Sequence, residues 1–168
     1  MGQPFQPAAS AALRALDSDE NRATSYPRMQ FTVIVNPHSG PGEGELPNVN
    51  YTEALRTLNL LNNVRTIGYV ATTWSKKGIS MVLDEIASYA GWGVQDPSLA
   101  LHGIFFDETV TKYTPDSVKY LRCISHAVRT SDGLADGFVG KNTLSFRHWA
   151  FGMLFTTFRS RWVPSIAP

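Results

Sequence analysis

Cysteine is almost absent from this chain. The single one, Cys123, excludes an intrachain disulfide framework and a multi-cysteine metal site. It falls on the apolar side of a predicted helix and reads as a buried structural thiol, since a lone buried cysteine behaves as a small hydrophobe. The four histidines, His38, His102, His126 and His148, show no metal-ligand spacing. No metal and no cofactor is therefore expected. Charge of one sign is lacking too: the net charge is +1, which gives no bulk field to attract nucleic acid or an acidic partner. Long apolar runs are missing. None approaches the ~20 residues that span a bilayer, and the longest aromatic stretch is Trp149–Phe158. The N-terminus lacks a secretory pattern, because Arg14 interrupts the small apolar Ala8–Leu16 and no basic stretch precedes it. As it stands, the chain is expected in the cytosol.

What is present is a core. Hydrophobic residues make up 43% and charged residues 17% of 168 positions, a balance that suits one globular domain. Residues 1–30 are polar and irregular; Ala8–Leu16 is a candidate short helix and Ser18–Arg28 reads as a linker. Phe31–Val35 is a β-branched run, a predicted buried strand, stopped by the loop Asn36-Pro37-His38-Ser39-Gly40-Pro41-Gly42. Asn50 then looks like an N-cap, with Glu53 three positions on. Tyr51, Leu55, Leu58 and Leu61 share the face of the helix that follows. Val64–Val70 is a second strand. Ile79, Val82, Leu83, Ile86 and Ala90 mark a second helix, with Gly91 where a helix-ending glycine belongs. Leu101–Phe106 is a third strand, and Thr114-Pro115 caps a third helix with Val118, Leu121, Ile124 and Val128 on its buried stripe.

Alternating strands and helices imply an α/β fold with parallel pairing and right-handed crossovers. Three βα units are recognisable, and both ends are atypical. Residues 31–134 carry the pattern. Residues 135–168 form an aromatic and basic tail without alternation, read as badly packed, with a basic amphipathic surface element as the alternative.

In parallel α/β folds, sites gather at the carboxyl ends of the strands. Here those ends carry Asn36 with His38 and Ser39, Tyr69 with Thr72, and Asp107 with Glu108. Two acids directly after Phe105-Phe106 would be partly desolvated and mutually repelling, which separates their proton affinities. Glycoside hydrolysis needs such a division between a proton donor and an ionised partner. Adjacent strand residues face opposite sides, however, so both acids reach one cleft only if the chain is already turning. The plainer alternative makes one acid a turn cap and the other a surface charge. Tyr69 and Trp74 are candidates for a sugar-stacking wall, or else core aromatics. His38 is a candidate substrate ligand, and the other histidines read as structural. The glycine-rich loop after the first strand also permits a phosphate cradle. Lipid kinases carry a similar Asn-Pro-x-Ser-Gly segment, but their later Gly-Gly-Asp-Gly loop is replaced here by Asp-Glu. No Walker or Rossmann fingerprint follows any strand.

The segments Phe31–Gly42, Pro47–Tyr51, Ile67–Thr72 and Gly103–Glu108 stand in an order and at distances that resemble the spherulin-4 (spherulation-specific family 4) proteins. The resemblance covers about Phe31 to Ser131. It implies a (β/α)8 TIM-type barrel, secretion or a cell-surface location, and hydrolysis of galactosamine-containing polysaccharide. It also implies that Asp107 and Glu108 match the family's catalytic acids and that Asn36 and Tyr69 lie near them. A first strand before Phe31 and a third glutamate after Leu134 are expected by that pattern and do not appear; residues 135–168 contain no glutamate. A full barrel takes ~250 residues. The expectation is thus a partial barrel: a glycosidase-type hydrolase of amino-sugar polysaccharide or its truncated or mis-spliced remnant, with a non-catalytic carbohydrate-binding or cell-surface module as the alternative.

Overall fold

In the computed structural model, residue 18 and residues 20–141 are described. The elements in order are β1 (Phe31–Val35), α1 (Val49–Asn59), β2 (Val64–Ala71), α2 (Ile79–Gln95), a 3-10 turn (Pro97–Leu99), β3 (Gly103–Asp107), α3 (Pro115–Thr130) and β4 (Phe138–Lys141). The strands form one four-stranded parallel sheet in the order β1-β2-β3-β4. The α/β class read from the sequence is the class that forms.

α1, α2 and α3 pack on one face of the sheet. Val35, Val70, Ile104 and Phe106 meet Leu55 of α1, Ile86 and Trp92 of α2, and Ile124 and Val128 of α3 in one buried cluster. Strand alternation sends Ile34, Ile67 and Phe105 to the other face, where they form a second cluster with Tyr69 and Phe138. That second face leads upward to Tyr69 and Asp107, so the strand period itself aims the candidate site residues away from the helices.

Tyr89 is the pillar between α2 and the sheet. Its ring is fully buried, and its hydroxyl lies 3.0 Å from the Val35 carbonyl oxygen and 3.1 Å from that of Tyr69, donating between them. Burial pushes this phenol well above the ordinary tyrosine value of 10.0. The sign follows directly: the folded state binds the proton more tightly, so the contribution is complete below pH 10 and is lost as pH rises above it. Urea midpoints should therefore fall steeply above pH 10 in the parent chain and more gently in Tyr89→Phe. The substitution itself should cost about 1 kcal/mol at neutral pH, from the lost hydrogen bond.

Several sequence expectations are corrected. Ser18–Arg28 is not all linker: residues 20–25 are helical and Ala23 is buried against Phe31 and Val33. The cap of α1 is Asn48, not Asn50; its side chain accepts from the Tyr51 N–H, two residues earlier than the Asn50–Glu53 pairing predicted. Gly91 does not end α2, which runs on to Gln95 because Trp92 continues the buried stripe. The pattern does not fail at Leu134, since Phe138–Lys141 adds β4. That strand is only four residues long, too short for periodicity to reveal. Cys123 is exposed rather than buried, because it precedes Ile124 by about 100° around α3. A native-state thiol assay should titrate it fully without denaturant. The candidate helix Ala8–Leu16, the Trp149–Phe158 run and His148 lie outside the described residues.

Among the described residues, no helix is long and apolar enough to cross a membrane. Nor do three His, Cys, Asp or Glu side chains gather as a metal site.

Candidate functional site

β3 ends at Asp107, and the chain turns at once. Glu108 takes a left-handed backbone with φ +52°, so the strand alternation that would separate the two acids is broken between them. Asp107 Oδ1 accepts from the Glu108 N–H at 2.8 Å, and Asp107 Oδ2 accepts from the Tyr69 hydroxyl at 2.8 Å. Tyr69 is half-buried, with its ring 6.4 Å from that of Phe105. Both oxygens of Asp107 are thus engaged by donors. Among the described residues, no donor reaches the Glu108 carboxyl.

The loop after β2 is locked onto the same turn. The Thr72 hydroxyl lies 3.0 Å from the Asp107 carbonyl oxygen and 2.8 Å from that of Glu108, and the Trp74 N–H donates to Glu108 O at 2.7 Å. Thr73, Trp74 and Ser75 all have left-handed φ, at +48°, +52° and +64°. Such conformations cost about 1–3 kcal/mol each in non-glycine residues and persist where surroundings over-determine them. With Ser39 and Glu108, these are the non-glycine residues of positive φ among those described, and all five sit just after β1, β2 or β3. Backbone strain is concentrated at one end of the sheet. Trp74 is 52% exposed, so it is a surface residue and not a core aromatic.

The loop after β1 is built differently. Asn36 is buried; its Oδ1 accepts from the Gly40 N–H at 3.0 Å, and its carbonyl accepts from the Tyr51 hydroxyl at 3.2 Å. The His38 N–H donates to Gly40 O, and the histidine side chain is exposed. These amides are consumed inside the loop, which leaves them unoffered to a phosphate. Tyr69, Asp107, Glu108 and the Trp74 backbone are therefore joined directly. Asn36 and His38 lie at the same end of the sheet, but no hydrogen bond links them to Asp107.

The sequence reading named Thr72 only as a strand-end residue and missed its role as the clamp on both acids. It missed Tyr89 as well. The signal for Tyr89 was Gly68, since glycine inside a strand marks close approach by another group. Gly68 is where the Tyr89 ring lies against β2.

The family model described as spherulation-specific family 4 matches residues 15–150. The chain belongs to the spherulin-4 family. Aspergillus clavatus Sph3, whose crystal structure was solved in complex with GalNAc, superposes on it with a TM-score of 0.73 and 44% sequence identity. The match covers 76% of this chain and 52% of that one, so this spherulin-4 chain spans about half of Sph3. Among curated proteins, nothing matches. The family-model match reaches past Ser131, where the resemblance read from the sequence ended, and includes β4.

Proposed function

We propose that the chain binds N-acetylgalactosamine-type sugars at the carboxyl ends of β1–β3 and cleaves galactosamine-containing polysaccharide with Asp107 and Glu108. The carrying observation is the joined Tyr69–Asp107–Glu108 turn in a relative of a GalNAc-bound protein. Glycosidic cleavage needs a proton delivered to the leaving oxygen and a carboxylate beside the sugar carbon. Asp107, with a donor on each oxygen, meets the sugar as the fixed charge. Glu108 has uncommitted oxygens and moves the proton. Trp74, exposed beside them, offers a ring face to a sugar, with Asn36 and His38 on the neighbouring loop. The sequential strand order with α1, α2 and α3 on one face supports reading this sheet as part of a (β/α)8-type wall.

A non-catalytic carbohydrate-binding module is the second reading. It is favoured by the lack of a glutamate among residues 135–168, where the resemblance expects a third acid. Incubation of the 168-residue chain with galactosamine polysaccharide separates the two. Release of reducing ends that Asp107→Asn abolishes supports hydrolysis. Binding without release, unchanged by that substitution, supports the module. No binding and no release sinks both.

A further inference from the structure

Behind the site, outside the residues that would touch a sugar, lies a half-buried ion pair with no assigned role. Lys77 Nζ lies 2.6 Å and 2.7 Å from the two carboxylate oxygens of Glu85, and the side chains are only 15% and 23% exposed. An exposed pair contributes little. One this enclosed is different, because removing either partner leaves a charge in poor solvent.

Its position gives it a use. Lys77 closes the strained Thr73–Ser75 turn: its N–H donates to Thr72 O at 3.3 Å, and its own carbonyl accepts from the Tyr120 hydroxyl of α3 at 3.0 Å. Glu85 belongs to α2, and the loop after β1 rests on it. A Cβ built on Gly40 would stand 3.3 Å from Glu85 Oε1. Three segments therefore meet at one ion pair: the loop carrying Trp74, the loop carrying Asn36 and His38, and α3. The Trp74 turn is held at its start by Thr72 on the acid pair and at its end by Lys77 on Glu85. That double anchoring is what a run of left-handed residues requires to persist.

We propose that Lys77–Glu85 is a positioning strut that couples the Trp74 loop to the Asn36–Gly42 loop and holds both in the sugar-binding arrangement. The coupling stands on the geometry alone, and its consequence for ligand rests on the carbohydrate reading above. Neither residue need touch the sugar.

Amide hydrogen exchange on the full chain without ligand tests the coupling. Glu85→Gln and Lys77→Met should each speed exchange at Gly40, Trp74 and Lys77 by about tenfold, while the interior amides of α2 keep their protection. GalNAc affinity should weaken about fivefold through lost preorganisation. The reciprocal pair Lys77→Glu/Glu85→Lys should recover most of both effects, which a merely lost stability increment would not. Unchanged exchange at Gly40 and Trp74 in both single variants overturns the strut, whatever happens to the sugar. Loosened loops with unaltered GalNAc affinity overturn its positioning role. A parent chain that ignores GalNAc defeats the proposed function instead, and the exchange data still decide the coupling.

Discussion

Asp107→Asn should leave the fold intact and lower the release of reducing ends from galactosamine polysaccharide by about a thousandfold. The change keeps the side chain's shape and removes its charge. In the parent, one oxygen accepts from Tyr69 and the other from the Glu108 N–H. An amide presents one acceptor and one donor, so it keeps both partners only if its NH2 turns to the Tyr69 hydroxyl and that hydroxyl accepts instead of donating, and the carboxylate that would face a developing positive sugar carbon is gone. A thousandfold corresponds to about 4 kcal/mol of transition-state stabilisation. The stability cost should be nearer 1 kcal/mol, because Asp107 is only partly buried and its backbone bonds to Thr72 persist. Glu108→Gln should match it in rate loss with a smaller effect on stability. Steady-state hydrolysis beside urea midpoints separates the two effects. Equal rates in parent and variant would remove Asp107 from the chemistry.

Gly68→Ala should destabilise the domain by about 3 kcal/mol, toward the upper end of overpacking costs, and disable the site as well. A Cβ there would lie 2.8–2.9 Å from three ring atoms of Tyr89. The ring has no retreat: it is fully buried and meets Trp92 edge-on at 4.8 Å. Moving it also withdraws the hydroxyl that joins the ends of β1 and β2 through Val35 and Tyr69. Tyr69 in turn holds Asp107, so the disturbance travels from a core contact to the acid pair. A lowered urea midpoint with weakened GalNAc binding is the expected pair of results. Adding Tyr89→Leu to Gly68→Ala should restore part of the stability by clearing the clash, without restoring the site. A Gly68→Ala chain as stable as the parent would refute this account of the pillar.

The elements that were legible are those whose signal is local. Phe31–Val35, Val64–Val70 and Leu101–Phe106 announce themselves as short apolar runs between breakers, and the structure places β1, β2 and β3 there within a residue or two. Thr114 and Pro115 marked the start of α3, because capping uses atoms within three residues. What misled were local signals overruled by packing. Gly91 has the look of a helix end, but burial of Trp92 carries α2 onward. β4 was invisible because a four-residue strand shows itself only by pairing with β3, through contacts some 35 residues away in sequence.

The site divides along the same line. That Asp107 and Glu108 close an apolar strand, that Tyr69 lies near the end of the strand before it and that Trp74 follows that strand, is written in the order of residues, as is the family to which the chain belongs. Whether two adjacent acids share a cleft is not, because alternation along a strand sends neighbours to opposite faces. Tertiary structure breaks that alternation with the left-handed turn at Glu108, held by the Thr72 clamp and the Tyr69 hydroxyl, two contacts made from β2 and the loop after it. It also decided that Trp74 is exposed and that Lys77 reaches Glu85. Hydrophobic order along the chain determines which strands and helices form and which face is buried. Long-range hydrogen bonds between their ends determine where the few polar side chains finally stand.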